Sequence, residues 1–310
     1  MPTSMKFSRI NYEAVEEDIK PGPPKRFNSR FCDEKLLPPL ERPNERPYGM
    51  QRWLPAILES RDIDPSVIQY VRLSRRQGHV LLEASGNAML TGQFNRATVE
   101  KIREEVYPAF SELFIPSQGL FVRLEFSSPK DATPQNMILS PMDVCLRLAT
   151  SQTAMSEMRK TLLSGSLNVK LIFFPFNPRI RGDRQYRVYC QPDTGRVTAI
   201  SQQEWHKKWR FSTLSREEQN AVVEEIWMGI WKIHQNITGR LDIKTEMDAL
   251  MLKQGFTFDV YYDEELRKVM LIDLGVFGAN GSCGSCLFEW VHDFGLLYGM
   301  RQSVEFRATY

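Results

Sequence analysis

The chain has 310 residues and a mass of 36.0 kDa, with 42% hydrophobic and 25% charged residues. A chain of this size can bury a substantial core in two domains or one large one, which excludes a small stapled scaffold. The net charge of +2 does not by itself indicate a nucleic-acid binder, and no apolar run approaches the 18 residues of a membrane span. The start of the chain lacks the apolar core of a signal peptide, so we expect a cytoplasmic protein without a membrane partner.

The five cysteines are an odd number spread along the chain, which favours free thiols in a reducing compartment over a disulfide framework. Cys283 and Cys286 have the spacing of half a zinc site or of a redox pair. A second cysteine pair is missing from the sequence, so a loop of small residues is the favoured interpretation.

Residues 1–50 hold eight of the 18 prolines among alternating charges. This composition predicts an extended or partly disordered arm. We place an N-terminal lobe at 51–165 and a C-terminal lobe at 166–310.

The N-terminal lobe shows mixed patterns. Apolar residues from 53 to about 85 predict a short helix followed by strands, including one over Val80–Leu82. Residues 98–112 have helical spacing despite Pro108, and residues 119–126 read as a strand.

The C-terminal lobe predicts a strand at 168–174 and a hairpin formed by 186–190 and 196–202. A helix over about 216–236 is indicated by an apolar stripe and by a capping box of Ser215 and Glu218. Hairpins and segregated helices together indicate an α+β fold, with mixed or antiparallel sheets and packed helices in two lobes.

Two apolar-rich segments further along the chain each carry one acid where apolar residues are expected. Asp259 lies in the first segment and Asp273 ends the second, and the polar stretch between them predicts an antiparallel hairpin. If Tyr262 pairs with Lys268, the acids become diagonal neighbours on one face, roughly 7 Å apart. Such a pair suits Mg²⁺ carrying a polyphosphate. The alternative is that each acid pairs with a nearby arginine or lies at the strand rim.

A basic segment precedes this hairpin. The segment from Arg179 to Arg210 contains eight basic and three acidic residues. Tyr186, Trp205 and Trp209 lie among them in the sequence. Basic side chains with exposed rings suit phosphates and unpaired bases, as at the acceptor end of an RNA. A solvated basic face balanced by acids elsewhere in the fold is the open alternative.

Three segments together resemble the cell division cycle protein 123 family over about residues 95–292. The segments are Leu120-Phe-Val-Arg-Leu-Glu-Phe-Ser-Ser-Pro-Lys-Asp-Ala132, Gln185-Tyr-Arg-Val-Tyr189 with Ala199-Ile-Ser-Gln202, and the acidic hairpin. The resemblance implies an ATP-grasp-like fold and a role in assembling eukaryotic translation initiation factor 2.

By this resemblance, Asp259 and Asp273 match metal-binding acids and Arg187 matches a basic residue placed to meet phosphates, and we expect these three to carry any catalysis. Nucleotide or tRNA binding is expected at six further positions: Arg123, Lys130, Arg181, Arg184, Phe174 and Phe176.

The sequence also departs from the family. Gly275 stands where the family has an asparagine that completes the magnesium shell, and a glycine supplies no side-chain ligand. The strand that holds adenine reads Phe174-Pro175-Phe176, which loses a cation and one backbone donor, and Arg123 replaces a lysine. A nucleotide pocket altered in this way leaves the use of ATP and of Mg²⁺ open.

Three functions follow from these observations. The first is an enzyme that forms amide bonds from aminoacyl-tRNA, similar to the fungal arginine-containing cyclodipeptide synthases, because an activated substrate would make ATP unnecessary. The second is an ATP-binding assembly chaperone for the gamma subunit of translation initiation factor 2. The third is an ATP-dependent carboxylate–amine ligase.

Overall fold

The computed structural model describes residues 5–20, 22, 27–28, 43–132, 137–279, 281 and 284–310. Within these residues the strands are β1 Met5–Ile10, β2 Gln69–Ser74, β3 Leu120–Arg123, β4 Asn168–Pro175, β5 Gln185–Cys190, β6 Val197–Gln202, β7 Phe256–Asp263, β8 Lys268–Val276 and β9 Val304–Thr309. The α-helices are α1 Tyr12–Ile19, α2 Met50–Arg61, α3 Arg75–Thr91, α4 Arg96–Glu105, α5 Pro141–Thr150, α6 Gln152–Leu163, α7 Arg216–Gly239, α8 Glu246–Gln254 and α9 Phe294–Leu297. In the described part of the chain, none of these helices has the length and apolar character that a membrane crossing requires.

The chain forms two units whose bounds differ from the predicted lobes. One unit joins Met1–Asp62 to Pro178–Tyr310, and the other is Ile63–Asn177. The first boundary moves because α2 packs against β8, which ties residues up to 62 to the larger unit. The second moves because β4 pairs with both β2 and β3, so this strand belongs to the smaller unit.

The larger unit is built on a six-stranded mixed sheet in the order β1-β9-β6-β5-β7-β8. The two contacts of β9, with β1 and β6, are parallel and the other pairings are antiparallel. Successive side chains of a strand point to opposite faces of the sheet, and the apolar ones fall on one face, where they are buried. They include Val188, Ile200, Phe258, Val260 and Phe306.

Helix α7 packs on β8 and has the predicted apolar stripe. The capping box of Ser215 and Glu218 is present, as predicted from the sequence. Gly229 allows close approach to β8, because a Cβ at this position would lie 2.3 Å from Cγ2 of Val269.

The predicted arm contains regular structure. Residues 5–10 form the edge strand β1 and residues 12–19 form α1, whereas residues 29–42 lie outside the described residues. Strand β1 pairs with β9 near the other end of the chain, so this pairing could not be read from local composition.

The smaller unit is a three-stranded antiparallel sheet in the order β2-β4-β3, with α3, α5 and α6 packed around a shared apolar core. Val80–Leu82, predicted as a strand, lies in α3, which begins with a capping box of Ser74 and Gln77. A short apolar run does not distinguish a strand from a buried helical segment. Here the capping box stabilises the start of a helix, and the run continues it. Together the two units confirm the predicted α+β class.

Candidate functional site

Polar residues form a line across the non-apolar face of the six-stranded sheet. Each strand contributes one residue, and neighbours in the line are direct cross-strand partners. In spatial order, this polar row is Ser8, Arg307, Ser201, Arg187, Asp259 and Asp273. Three of the six are the residues for which the sequence predicted catalysis, and the sheet brings them together at one end of the row.

Arg187 and Asp259 form a two-pronged ion pair inside the row. The guanidinium Nε and Nη2 donate to Oδ1 and Oδ2 of Asp259 at 2.9 and 3.0 Å. Gln203 adds a third hydrogen bond, from Nε2 to Oδ2 of Asp259 at 2.6 Å. Because Asp259 is only 8% exposed, these donors offset the cost of burying its charge.

Asp273 lies directly opposite Asp259, and not diagonally as predicted. The hairpin pairs Asp263 with Lys268, one residue away from the predicted register, and an irregularity at Asp259 and Val260 shifts the pairing once more. The two acids nevertheless share a face. Oδ1 of Asp273 also accepts a hydrogen bond from the backbone N–H of Leu274 at 3.0 Å.

Residues 284–288 lie across the polar row. The carbonyl oxygen of Gly284 accepts hydrogen bonds from Nη1 of Arg187 at 3.1 Å and from the hydroxyl of Tyr189 at 3.4 Å. Leu287 donates its N–H to Oγ of Ser201 at 3.1 Å and accepts from Nη1 of Arg307 at 3.2 Å. The backbone of residues 284–288 therefore forms hydrogen bonds with three members of the polar row, Arg187, Ser201 and Arg307.

Arg307 is held by acids of its own. Its guanidinium donates to both carboxylate oxygens of Asp293 at 2.7 Å and to Glu305 at 2.8 Å, and it lies 4.2 Å from the ring centre of Phe288. Burial lowers the pKa of Arg307, but the hydrogen bonds that Arg307 donates to Asp293 and Glu305, with the charge of these acids, outweigh burial and leave the pKa raised. Arg307 is thus a firmly charged, internally paired residue.

A divalent cation does not fit the acid pair as it is arranged. Both oxygens of Asp259 already accept hydrogen bonds from Arg187 or Gln203, and Gly275 adds no side-chain ligand. Among the described residues, no three Asp, Glu, His or Cys side chains lie close enough together to hold a metal ion. Magnesium binding at Asp259 and Asp273 stays a prediction that would require Asp259 to release Arg187.

Four arginines of the basic segment pair with acids in the fold. Three of these acids are the last residue of β7 and two residues of the turn after it, and the basic segment supplies the fourth. Their ion pairs are Arg179 with Asp263 and Glu265, Arg181 with Asp183, Arg184 with Glu264, and Arg210 with Asp183 and Glu264. We call this set the arginine–acid network. The hydrogen bond from Arg210 holds the pKa of Glu264 below its ordinary value.

The prediction of exposed rings in the basic segment was wrong for two of the three residues. Tyr186 and Trp209 are 0% and 2% exposed, and the indole Nε1 of Trp209 donates to the hydroxyl of Tyr186 at 3.0 Å. They pack in the core because Tyr186 falls on the apolar face of β5, which faces away from Arg187.

The smaller unit contains the remaining predicted positions. Arg123 on β3 pairs across the sheet with Ile172, and Phe174 pairs with Phe121, so Arg123 and Phe174 share one face. Both are buried, at 3% exposure each. Phe176 follows the strand, and its N–H donates to the carbonyl oxygen of Gly119.

Lys130 and Asp131 have different surroundings. Lys130 is exposed, whereas the carboxylate of Asp131 accepts hydrogen bonds from the Ser151 hydroxyl and from Thr153, at the start of α6. Asp131 therefore secures its loop to a helix terminus.

The cysteines that the structure describes are free and buried. Burial raises the pKa of the Cys145 thiol to about 12, which makes this thiol unreactive at neutral pH. Cys286 lies in the segment 284–288 that crosses the polar row. Cys32 and Cys283 lie outside the described residues, so the interpretation of Cys283 and Cys286 as part of a loop of small residues stays a prediction.

Sequence reasoning missed Gln203, Ser201 and Arg307 as members of this site. Ser201 lies inside the Ala199-Ile-Ser-Gln202 motif, and Gln203 follows it directly. The alternation of Glu305, Arg307 and Thr309 with apolar residues was a strand signal near the C-terminal end. It could not indicate that this strand inserts between β1 and β6.

Comparison with known proteins gives consistent results. The profile of the family described as D123 matches residues 87–308. Cdc123 from Schizosaccharomyces pombe is 15% identical, with a TM-score of 0.54 over 85% of this chain and 96% of that chain. Its C-terminally truncated form is 16% identical, with a TM-score of 0.55 over 85% and 95%. At these identities the structures show a shared fold.

A D-alanine–D-alanine ligase from Helicobacter pylori is 13% identical, with a TM-score of 0.34 over 75% of this chain and 52% of that chain, which is too low to support an argument. No curated protein matches. The family profile spans well over half of the chain and contains the three strands β5, β7 and β8 that carry Arg187, Asp259 and Asp273. The chain therefore belongs to the D123 family, and it has the fold of Cdc123.

Proposed function

We propose that this protein is a binding factor that assists the assembly of translation initiation factor 2 by binding its gamma subunit. The resemblance to the cell division cycle protein 123 family implies this role, and membership of the D123 family supports it. The observation that carries the proposal is the internal pairing of Asp259 with Arg187 and Gln203. A site whose central acid is already neutralised suits a structural or binding role better than metal-dependent chemistry.

The charge distribution supports the same proposal. The arginine–acid network pairs four arginines of the basic segment with four acids. Basic side chains that neutralise phosphates release the counterions of a nucleic acid and so favour binding. Arginines that are already paired with acids contribute little to this release. Arg181 and Arg184, which we predicted to bind nucleotide or tRNA, belong to this network and would have to exchange partners first.

The direct test is a calorimetric titration of the purified protein with the isolated gamma subunit. We expect one-to-one binding with a dissociation constant of roughly micromolar or tighter, as is usual for a specific interface. A titration with ATP and Mg²⁺ in the same buffer reports whether nucleotide binds separately. Absence of gamma-subunit binding, with and without nucleotide, would overturn the proposal.

A second candidate is an enzyme that forms amide bonds from aminoacyl-tRNA, similar to a cyclodipeptide synthase. The observations that favour it are Gly275 in place of a metal ligand and the arrangement of Asp259 and Asp273 on one face. An ester substrate on tRNA is already activated, so neither ATP nor magnesium would be needed. Incubation with charged tRNAs and mass spectrometry for a cyclic dipeptide tests this candidate.

An ATP-dependent carboxylate–amine ligase is the third candidate. It requires Mg²⁺ and nucleotide to displace Arg187 from Asp259, so ATP binding should weaken when magnesium is removed. If ATP and Mg²⁺ produce no heat of binding, this candidate is excluded.

A further inference from the structure

We propose that Ser60 and Arg61, at the end of α2, are positioning residues that hold a β-bulge in β8 and thereby place Asp273 beside Asp259. This inference concerns how the acid pair is built. Its consequence for partner binding depends on the proposed function, whereas the placement of the two acids does not.

The bulge is visible in the pairing of β7 with β8. In each pair from Asp263–Lys268 to Val260–Leu271, the residue numbers of the two partners add to 531. From Asp259–Asp273 onwards, the two residue numbers add to 532. Ile272 is the extra residue, so two residues of β8 stand against one residue of β7.

The extra residue decides which face Asp273 occupies. Side chains alternate between faces along a regular strand, so Asp273 would pair with Phe258 and lie on the apolar face if the first register continued. With the bulge, Asp273 lies on the face of Asp259 and Arg187. Ile272 itself packs with Tyr261 and Met270, which also lie on that face.

The end of α2 binds the backbone of this bulge. Arg61 donates from Nε to the carbonyl oxygen of Leu271 at 2.7 Å and from Nη2 to that of Ile272 at 3.1 Å. Ser60 accepts the N–H of Leu271 on its Oγ at 3.0 Å. Strand β8 is the edge of the sheet, so side chains take the place of a neighbouring strand here.

The two carbonyl groups bound by Arg61 are what makes the contact selective. In a regular strand, successive carbonyl groups point to opposite sides, so one guanidinium at the edge would meet only one of them. Leu271 and Ile272 are adjacent, and a bulge is the arrangement that turns both carbonyl groups outward. Arg61 therefore binds the bulged form of β8 better than the regular form.

Cysteine crosslinking measures the register directly. The pair Asp259→Cys and Asp273→Cys reports the bulged form. The pair Phe258→Cys and Asp273→Cys reports the regular one, because these two residues lie on opposite faces when the bulge is present. Each pair is built with Ser60 and Arg61 intact and with Ser60→Ala and Arg61→Met. Disulfide yields after a fixed oxidation time are obtained by peptide mass mapping.

With Ser60 and Arg61 intact, the 259–273 disulfide should dominate. In the Ser60→Ala and Arg61→Met background, we expect the ratio of 259–273 to 258–273 disulfide to fall at least about tenfold, the effect of losing one hydrogen bond from a charged donor. Val260→Cys with Leu271→Cys is the control pair, because these residues keep their register in both forms. Its yield should not change.

Two further variants separate positioning from general destabilisation. Glu59→Gln removes the neighbouring ion pair with Arg240 without touching the bulge, so the disulfide ratio should stay the same. Arg61→Lys retains one donor and should give an intermediate ratio, and it serves as the test if the double variant does not fold. An unchanged ratio in folded Arg61→Lys and in the double variant would show that β7 and β8 hold the bulge themselves. Failure of gamma-subunit binding would leave these ratios unaffected, so the two proposals fail separately.

Discussion

At the scale of single residues, the two predicted catalytic acids have different roles in the fold. Asp259 is buried and bonded to Arg187 and Gln203, while Asp273 is partly exposed at the next strand. We therefore expect replacement of Asp259 to destabilise the fold and replacement of Asp273 to leave it largely intact.

Asp259→Ala should lower the free energy of unfolding by about 3 kcal/mol, because it leaves the partly buried guanidinium of Arg187 without its carboxylate. Asp273→Ala should cost less than about 1 kcal/mol. Urea denaturation of both variants measures the difference. Replacing both members of the pair, Arg187→Met with Asp259→Leu, should recover most of the loss, and equal losses for the two alanine variants would contradict this assignment.

The arginine–acid network makes a prediction about pH. The hydrogen bond from Arg210 holds the pKa of Glu264 below its ordinary value of 4.5. A folded-state pKa below the unfolded one means that Glu264 stabilises the fold above pH 4.5, and that this contribution is lost as the pH falls through the lowered pKa. Glu264→Gln should therefore melt at a lower temperature than the natural protein at pH 7, with the difference shrinking towards pH 3. A difference that is the same at both pH values would remove Glu264 from this role.

At the scale of elements, the close contact between α7 and β8 depends on one small residue. A Cβ at Gly229 would overlap the side chain of Val269, whereas a Cβ at Gly86 in α3 would have no neighbour within 4 Å. Gly229 is therefore a packing requirement, and Gly86 is a helical glycine without one.

Gly229→Ala should lower the free energy of unfolding by about 1–3 kcal/mol through overpacking. Gly86→Ala should raise it by roughly 0.5–1 kcal/mol, because alanine loses less conformational freedom than glycine in a helix. Chemical denaturation of both variants tests the pair. Stabilisation of the protein by Gly229→Ala would show that α7 can move away from β8 at no cost.

At the scale of the whole molecule, the two units differ in how the chain builds them. Ile63–Asn177 is one continuous segment with its own core, whereas the larger unit joins two separated segments. Both edges of the larger unit's sheet depend on residues before 63: β1 is one edge strand, and α2 covers the other edge at β8.

The fragment 63–177 should therefore fold alone, with a cooperative thermal transition and dispersed amide signals in an NMR spectrum. The fragment 178–310 lacks β1 and α2 and should aggregate or remain unfolded, because β9 and β8 would become exposed edges. Adding residues 1–62 to it through a flexible linker should restore folding. A stable fragment 178–310 would contradict this dependence.

Local signals in the sequence were enough to predict four features: the capped helix α7, the strands β4 to β6, the acidic hairpin, and the three segments that resemble the family. These depend on alternation, capping and turn residues within a few positions of one another. Val80–Leu82 shows the limit of such signals, since a short apolar run fits either a helix or a strand.

Contacts between segments that lie far apart in the sequence became visible only in the folded chain. Arg187 pairs with an acid 72 positions away, three arginines of the basic segment pair with acids at the end of β7 and in the turn after it, and Arg61 binds a bulge 210 residues further along. The bulge puts Asp273 on the face of Asp259 through one extra residue, which no alternation pattern predicts because register depends on strand neighbours and edge contacts. The residue types of the site were thus evident from the chain, while their pairing followed from the sheet.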